Sequence, residues 1–323
     1  MMVNDGALSL AIDLGGTTLL IGAVNRNGSV VRATVLNSGY RSQRDALEAI
    51  MSGVETFLSG FPEVRDSLIV AGAGLVGQVD PIDGVWHCMY SENDCQEIPL
   101  ARWITDRYGL PCFLDNDVKA ATFAERVFGV GRSCDNFAYV NIGTGIAAGF
   151  VSGGRLLRGR ANNAGEIGHM VVDLQSSIRC SCGAVGCVEA IASGRAMQLR
   201  FEALAQDYPE SRLARLMKNQ GFQLKHLFQL ADAGDRFAQQ IAYEAVDAVC
   251  AMVANIVAAV SPDKIVFGGG VMADGWLIEH VRERLPDRAR TADIVLSSLD
   301  LGTIGLVGAS VVGFGGLTNE PLL

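Results

Sequence analysis

Nothing near the start of this 323-residue chain pairs a basic region with a long apolar run. The opening MMVNDGALSLAIDLGG carries no lysine or arginine, and its apolar stretch breaks at Asp13, so no secretory leader is expected and a cytoplasmic protein is. Later apolar runs are short as well. The most apolar, around 248–260, is too short to span a bilayer and follows Asp247, which excludes a membrane segment from the expectation. Basic surface is scarce: 26 Lys and Arg stand against 35 Asp and Glu, for a net charge of -9. The cations are dispersed, so no footprint for nucleic acid is expected. There is also no low-complexity segment or clear linker, and domains that form should meet at a cleft without a tether.

What remains is a chain with 49% hydrophobic residues, long enough to bury a large core and to form two domains. Strand and helix patterns alternate, which predicts an α/β fold. Helical spacing of apolar positions marks 44–58 and 117–128, and buried strands are expected at 67–73 and 110–114. A long helix is predicted from Asp235 to Val260, stopped by Ser261-Pro262. A strand, KIVFGGGV, follows and runs into Gly268, Gly269 and Gly270, with another helix from about Gly275. Glycines at a strand end let backbone approach a flat ligand closely, which suits an adenine or its α-phosphate.

An internal repeat organises the chain. AIDLGGTTLLIGAV at 11–24 matches VNIGTGIAAGFV at 140–151, with Asp13 opposite Asn141, Gly15 opposite Gly143 and Gly22 opposite Gly149. Each half reads as strand, Gly-Thr turn, strand: a hairpin whose turn presents backbone N–H groups and a threonine hydroxyl to a phosphate. Gly15, Gly16, Thr17 and Thr18 form the first turn, Gly143, Thr144 and Gly145 the second. Two such hairpins imply two related domains.

Residues 164–189, AGEIGHMVVDLQSSIRCSCGAVGCVE, carry the densest chemistry. His169, Cys180, Cys182 and Cys187 supply one nitrogen and three sulfurs, the complement of a closed tetrahedral zinc. With no open coordination position, that zinc is structural. Gly183 and Gly186 lie between the second and third cysteines, where a chain wrapping one ion needs backbone freedom. Glu166 and Glu189 flank the cluster and would accept hydrogen bonds from sugar or polyol hydroxyls. The other cysteines, Cys88, Cys95, Cys112, Cys134 and Cys250, are read as packing thiols of a reduced chain.

Between the hairpins, LDNDVKAATFAERVFG at 114–129 ends a strand and opens a helix. Phosphoryl transfer to an alcohol needs a carboxylate within reach of the attacking hydroxyl, and Asp117 is the expected base. Its alternative reading is a cap on a helix beginning at Val118. Asp13, at the end of a buried strand beside a phosphate turn, would hold magnesium through its waters, or else close an Asx turn.

Taken together these segments resemble the ROK sugar kinases, within the actin, sugar kinase and Hsp70 superfamily. The resemblance covers nearly the whole chain: DLGGTT at 13–18 and NIGTG at 141–145 look like the two phosphate motifs, DND at 115–117 the catalytic motif, AGEIGH at 164–169 and CSCGAVGCVEAIASG at 180–194 the zinc and sugar signature. It implies two actin-like (ribonuclease H-like) α/β domains around a cleft with a structural zinc loop, divided as 1–115, completed by a C-terminal helix about 302–323, and 116–301. It implies Asp117 as base; Gly77, Gln78, Asn116, Glu166, His169 and Glu189 at the sugar; Gly268 and Gly269 at adenosine; and ATP, Mg2+ and structural Zn2+ as cofactors. His169 would serve twice, one ring nitrogen on zinc and the other toward the sugar.

The function expected is an ATP-dependent kinase for the 6-hydroxyl of a hexose, glucokinase-like, in a homodimer or homotetramer. A sugar-responsive regulator without catalysis, or a kinase for an N-acetylated or amino hexose, is the alternative. Repressors of this kind place a helix-turn-helix before the first phosphate motif, and only 12 residues precede Asp13 here. Departures from the family pattern are Val76-Gly77 in place of Pro-Gly, Lys119 after the catalytic motif and Ala147 in the second turn. Gln78 and Tyr90 lie where related kinases contact substrate, so specificity is expected in the Gly77–Tyr90 loop.

Overall fold

In the computed structural model residues 6–37, 40, 42–89 and 95–318 are described, with 219 and 220 by backbone only. Tyr90 lies outside the described residues. The chain divides into two compact units, the first made of 1–135, 149–165 and 297–323 and the second of 136–148 and 166–296.

The first unit opens with strands β1 (Leu8–Leu14), β2 (Thr18–Asn25) and β3 (Val30–Asn37), followed by helix α1 (Gln43–Gly60). Ser42 Oγ caps α1 by accepting from Asp45 N, and Ala46, Ile50, Val54 and Phe57 line its buried face at helical spacing. Next come β4 (Leu68–Leu75), β5 (Gln78–Asp80), β6 (Val85–Cys88), α2 (Leu100–Tyr108), β7 (Cys112–Asn116) and α3 (Asp117–Val127). The main sheet has the order β3-β2-β1-β4-β7, antiparallel at its hairpin side and parallel from β1 through β4 to β7. β5 and β6 form a separate two-stranded ribbon.

Strands β8 (Phe137–Ile142) and β9 (Ile146–Ser152) form the second hairpin, and β10 (Arg155–Leu156) turns back on β9. Helices α4 (Glu189–Ala192), α5 (Gly194–Leu204), α6 (Arg212–Gln220), α7 (Leu224–Asp232) and α8 (Arg236–Val260) follow. Then come β11 (Lys264–Gly268), α9 (Trp276–Arg284), β12 (Asp293–Leu296) and α10 (Ile304–Thr318). The second sheet runs β10-β9-β8-β11-β12, the same pattern of antiparallel hairpin and parallel extension as the first. The repeat read in the sequence is therefore a repeat of sheet topology, and the fold is α/β.

α10 completes the first unit by lying on β4 and α3, and glycines make this possible. A Cβ at Gly72 would sit 1.9 Å from Ala309 O, and one at Gly308 2.2 Å from Ala120 O. α3 packs with this group, so the compact units keep it in the first unit, whereas the motif-based division at 115/116 placed it in the second. α8 is capped by Asp235 and closed by Ser261 in the left-handed region. At 25 residues it is longer than the apolar stretch read from the sequence and is long and apolar enough to cross a membrane, yet 61% of its most apolar window is buried in the protein, as in a core helix. Cys88 and Cys95 were expected as packing thiols; they form a disulfide, because Trp86 pairs with Ile98 and the returning chain sets the two Cα atoms 4.8 Å apart.

Candidate active site and metal centre

In the first unit, Gly15 N donates to Thr18 O (2.9 Å), closing the turn that leaves Gly16 and Thr17 exposed between β1 and β2. At the end of β1 the Asp13 carboxylate lies against the first turn of α10: a Cβ at Gly305 would come within 2.0 Å of Asp13 Oδ2. Burial, and then the neighbouring Asp117 carboxylate, push the Asp13 carboxyl up to about 7. A divalent cation is what relieves such a pair, so these residues fit the magnesium that the family resemblance implies.

The sign of this shift gives a prediction. The folded chain holds the Asp13 proton more tightly than the unfolded chain, so stability falls as pH rises from the ordinary 3.8 to about 7 and stays lower above it. Without magnesium or nucleotide, Asp13→Asn is expected to melt above the parent at pH 8, by about 2–4 °C for each kcal/mol recovered, with the gap closing toward pH 4. Parallel melting curves at both pH values check it; coincident curves at pH 8 would contradict it.

β7 delivers Asp115 and Asn116, and α3 begins at Asp117. Asn116, not Asp117, is the helix cap: its Oδ1 accepts from Val118 N (3.1 Å) and Lys119 N (3.2 Å). Its Nδ2 donates to Gly77 O (3.2 Å). Asn and Asp are both strong caps, so sequence alone left this open by one residue. Gly74 in β4 gives the space, since a Cβ there would meet Asp117 Cα at 3.3 Å and Asp13 Oδ1 at 3.9 Å. Gly77 needs its positive φ of 91°, and a Cβ would lie 2.1 Å from Cys88 O. Gln78 starts β5 opposite Cys88, half-buried, with Trp86 Nε1 donating to Val76 O (3.0 Å) just before it. Lys119 is buried in α3.

The second unit holds the other expected residues. Gly143 N donates to Gly145 O (2.9 Å) in the turn between β8 and β9, and Gly194 N donates to Gly143 O (2.8 Å). Thr144 is exposed at its tip. Glu189 opens α4 and its Oε2 accepts from Ile146 N (2.8 Å), so this carboxylate braces the second turn. At the end of β11 a Cβ on Gly268 would lie 2.2 Å from Tyr139 Oη, and Gly269 has φ 91° with Ile142 O close by. Both glycines thus answer a packing need of the sheet itself.

The side chains of His169, Cys180, Cys182 and Cys187 place one ligand atom each within 4.8 Å of one another. Cys182 and Cys187 Sγ are 3.7 Å apart and Cys180 Sγ is 3.5 Å from His169 Nδ1. Tetrahedral zinc with bonds of about 2.3 Å spaces its ligands about 3.8 Å apart, so the set fits the ion. Burial pushes the Cys187 thiol up to about 12, which a coordinated metal would reverse. Gly183 and Gly186 both take positive φ, and a Cβ on Gly186 would strike Asp173 O at 2.0 Å. With Nδ1 turned to the cysteines, His169 Nε2 faces Glu166 at 4.0 Å.

The first unit thus collects Asp13, the 15–18 turn, Gly77, Gln78, Asn116 and Asp117, and the second collects the 143–145 turn, Glu166, His169, Glu189, the cysteines, Gly268 and Gly269. Sequence reading passed over Arg158 and Asn162, which bind Asp115 in the first unit. The Asn-Asn pair between Gly159 and Gly165 was the available signal, since Asn tolerates left-handed backbone.

A model of the ROK family matches residues 9–312. The chain belongs to the ROK family. It is similar to glucokinase of Thermotoga maritima, 32% identical over 312 residues, covering 94% of this chain and 96% of the relative. It is similar in structure to a ROK family glucokinase from Streptomyces griseus in complex with glucose and AMPPNP, with 27% identity and TM-score 0.78, covering 96% of this chain and 100% of the other. A ROK family transcriptional regulator is also similar, at 27% identity and TM-score 0.81, with coverage of 98% and 80%.

Proposed function

We propose that this chain is an ATP-dependent sugar kinase that transfers the γ-phosphoryl group of MgATP to the 6-hydroxyl of a hexose, with glucose the first candidate. The observation that carries the reading is the capping of α3 by the Asn116 side chain, which sets Asp117 at the first position of the helix beside Asp13 and the first phosphate turn. Asp117 takes the hydroxyl proton as the oxygen–phosphorus bond forms and the bond to the ADP oxygen breaks. Mg2+, when bound, offsets charge on the phosphates. Gly15–Thr18 and Gly143–Gly145 supply N–H groups to phosphate, Gly268 and Gly269 admit adenosine, and Gly77, Asn116, Glu166, His169 and Glu189 hold sugar hydroxyls. The zinc set shapes the loop bearing Glu166 and Glu189 without a chemical step.

Gln78 favours a second substrate class. A half-buried amide at the start of β5 both donates and accepts, so it suits an N-acetyl or amino substituent as well as a hydroxyl. An ATP-coupled assay over glucose, mannose, fructose, allose, N-acetylmannosamine and amino sugars tests the reading. One hexose should be preferred, its deoxy analogues should bind poorly, and its epimers should lose on the order of 10-fold or more in kcat/KM. Gln78→Ala should reorder the sugars more than it lowers the best rate. Sugar binding without turnover on any of them would make the chain a sensor.

A further inference from the structure

The strand that carries Gln78 and the strand end that carries Asn116 belong to different sheets, and their backbone tie is the short connection from Leu75, which pairs with Asn116. Side chains add to that tie: Asn116 Nδ2 donates to Gly77 O, and two side chains from the 158–162 segment join β5 to β7. Asn162 Nδ2 donates both to Val79 O in β5 (3.1 Å) and to Asp115 Oδ1 in β7 (2.9 Å). Arg158 places Nη1 on Asp115 Oδ1 (3.2 Å) and Nη2 on Asp115 Oδ2 (2.9 Å), and Nη1 also donates to Asn162 Oδ1 (2.9 Å). The acceptor is a buried carboxylate, 2% exposed, and the guanidinium lies 5.8 Å from the Phe123 ring of α3. Asp115 Oδ1 additionally accepts from Asn116 N (2.8 Å).

The backbone that presents this amide is unusual. Ala161 and Asn162 take φ of 53° and 58°, two successive left-handed residues without glycine. Such a conformation costs energy and is kept where surrounding contacts over-determine it. Here those contacts end on Asp115, one residue from Asn116 and two from Asp117.

From this we infer that Arg158 and Asn162 are positioning residues of the acceptor site: they clamp β5 to the end of β7 and so set Gln78 relative to Asn116 and Asp117. The inference rests on the sugar kinase reading and adds to it a determinant of acceptor specificity. Neither side chain touches the reacting atoms. Their loss should therefore loosen the fit of the sugar and leave the chemical step largely alone.

The test uses the full chain in the coupled assay, with Asn162→Gly, Arg158→Lys and Arg158→Met. Glycine accepts the left-handed backbone, so Asn162→Gly removes the amide without adding strain. It should raise KM for the preferred hexose about 10-fold, keep kcat within about 3-fold, leave KM for ATP unchanged, and shrink discrimination against epimers by a similar factor. Arg158→Met should act in the same direction, with Arg158→Lys between it and the parent because lysine keeps the charge but not the fork. Unchanged hexose KM and epimer ratio in Asn162→Gly would overturn the clamp. So would a uniform decline in hexose and ATP parameters accompanied by a lower melting temperature, which marks a merely structural role. A parent that phosphorylates no hexose defeats the kinase reading itself, and the clamp with it.

Discussion

Asp117→Asn is expected to lower turnover by about 10²-fold or more while hexose binding and the melting temperature stay close to the parent's. The amide keeps the size and polarity of the carboxylate but cannot accept the hydroxyl proton. Folding should hold because the cap of α3 is Asn116, which the substitution leaves in place. The substitution also removes the neighbouring carboxylate that, after burial, raises Asp13, which favours the folded state. Asp115 is the neighbouring alternative as base, yet its oxygens are taken by Arg158, Asn162 and the Asn116 N–H. Steady-state kinetics beside calorimetric hexose binding make the measurement. Retention of most activity would remove Asp117 from the mechanism.

Loss of metal from the cysteine cluster should have the other large effect. Purified protein is expected to hold about one zinc per chain, since four ligands complete the tetrahedral set. Cys182→Ser is the informative variant. Cys182 is exposed, unlike Cys180 and Cys187, so serine there removes a ligand without opening a hole in the core. Structural zinc supplies on the order of 10 kcal/mol in small zinc peptides, and even a fraction of that would lower the melting temperature sharply. Sugar binding should fall along with it, because Glu166 and Glu189 flank the same loop. Metal analysis that finds no zinc in freshly purified, reduced protein, or a Cys182→Ser protein that melts and binds like the parent, would end this account.

The hairpins, the long helix and the metal set were legible in the sequence for local reasons. Gly-Thr turns between apolar strands, apolar spacing along 236–260, and four metal-ligating side chains in a short segment all announce themselves over a few residues. The Asp115–Arg158–Asn162 cluster did not. Its members lie 43 and 47 residues apart, and nothing periodic links them. The Cys88–Cys95 pairing likewise required the return of Ile98 onto Trp86, a tertiary event. Gly268 and Gly269 show a cause the sequence conceals, since beside the close approach of a ligand Tyr139 and Ile142 also crowd the space a Cβ would take.

The placement of α10 bears on how the chain is made. The sheet of the first unit is assembled from residues synthesised early, but the helix that lies on β1 and β4 comes last, after the whole of the second unit. On the ribosome the 136–296 region has all but its final residues available while Leu306 and Ala309, which pack against Ala11 and Val24, are still missing. The early strands must therefore wait with an apolar face uncovered, at the stage when nascent chains are most prone to aggregate.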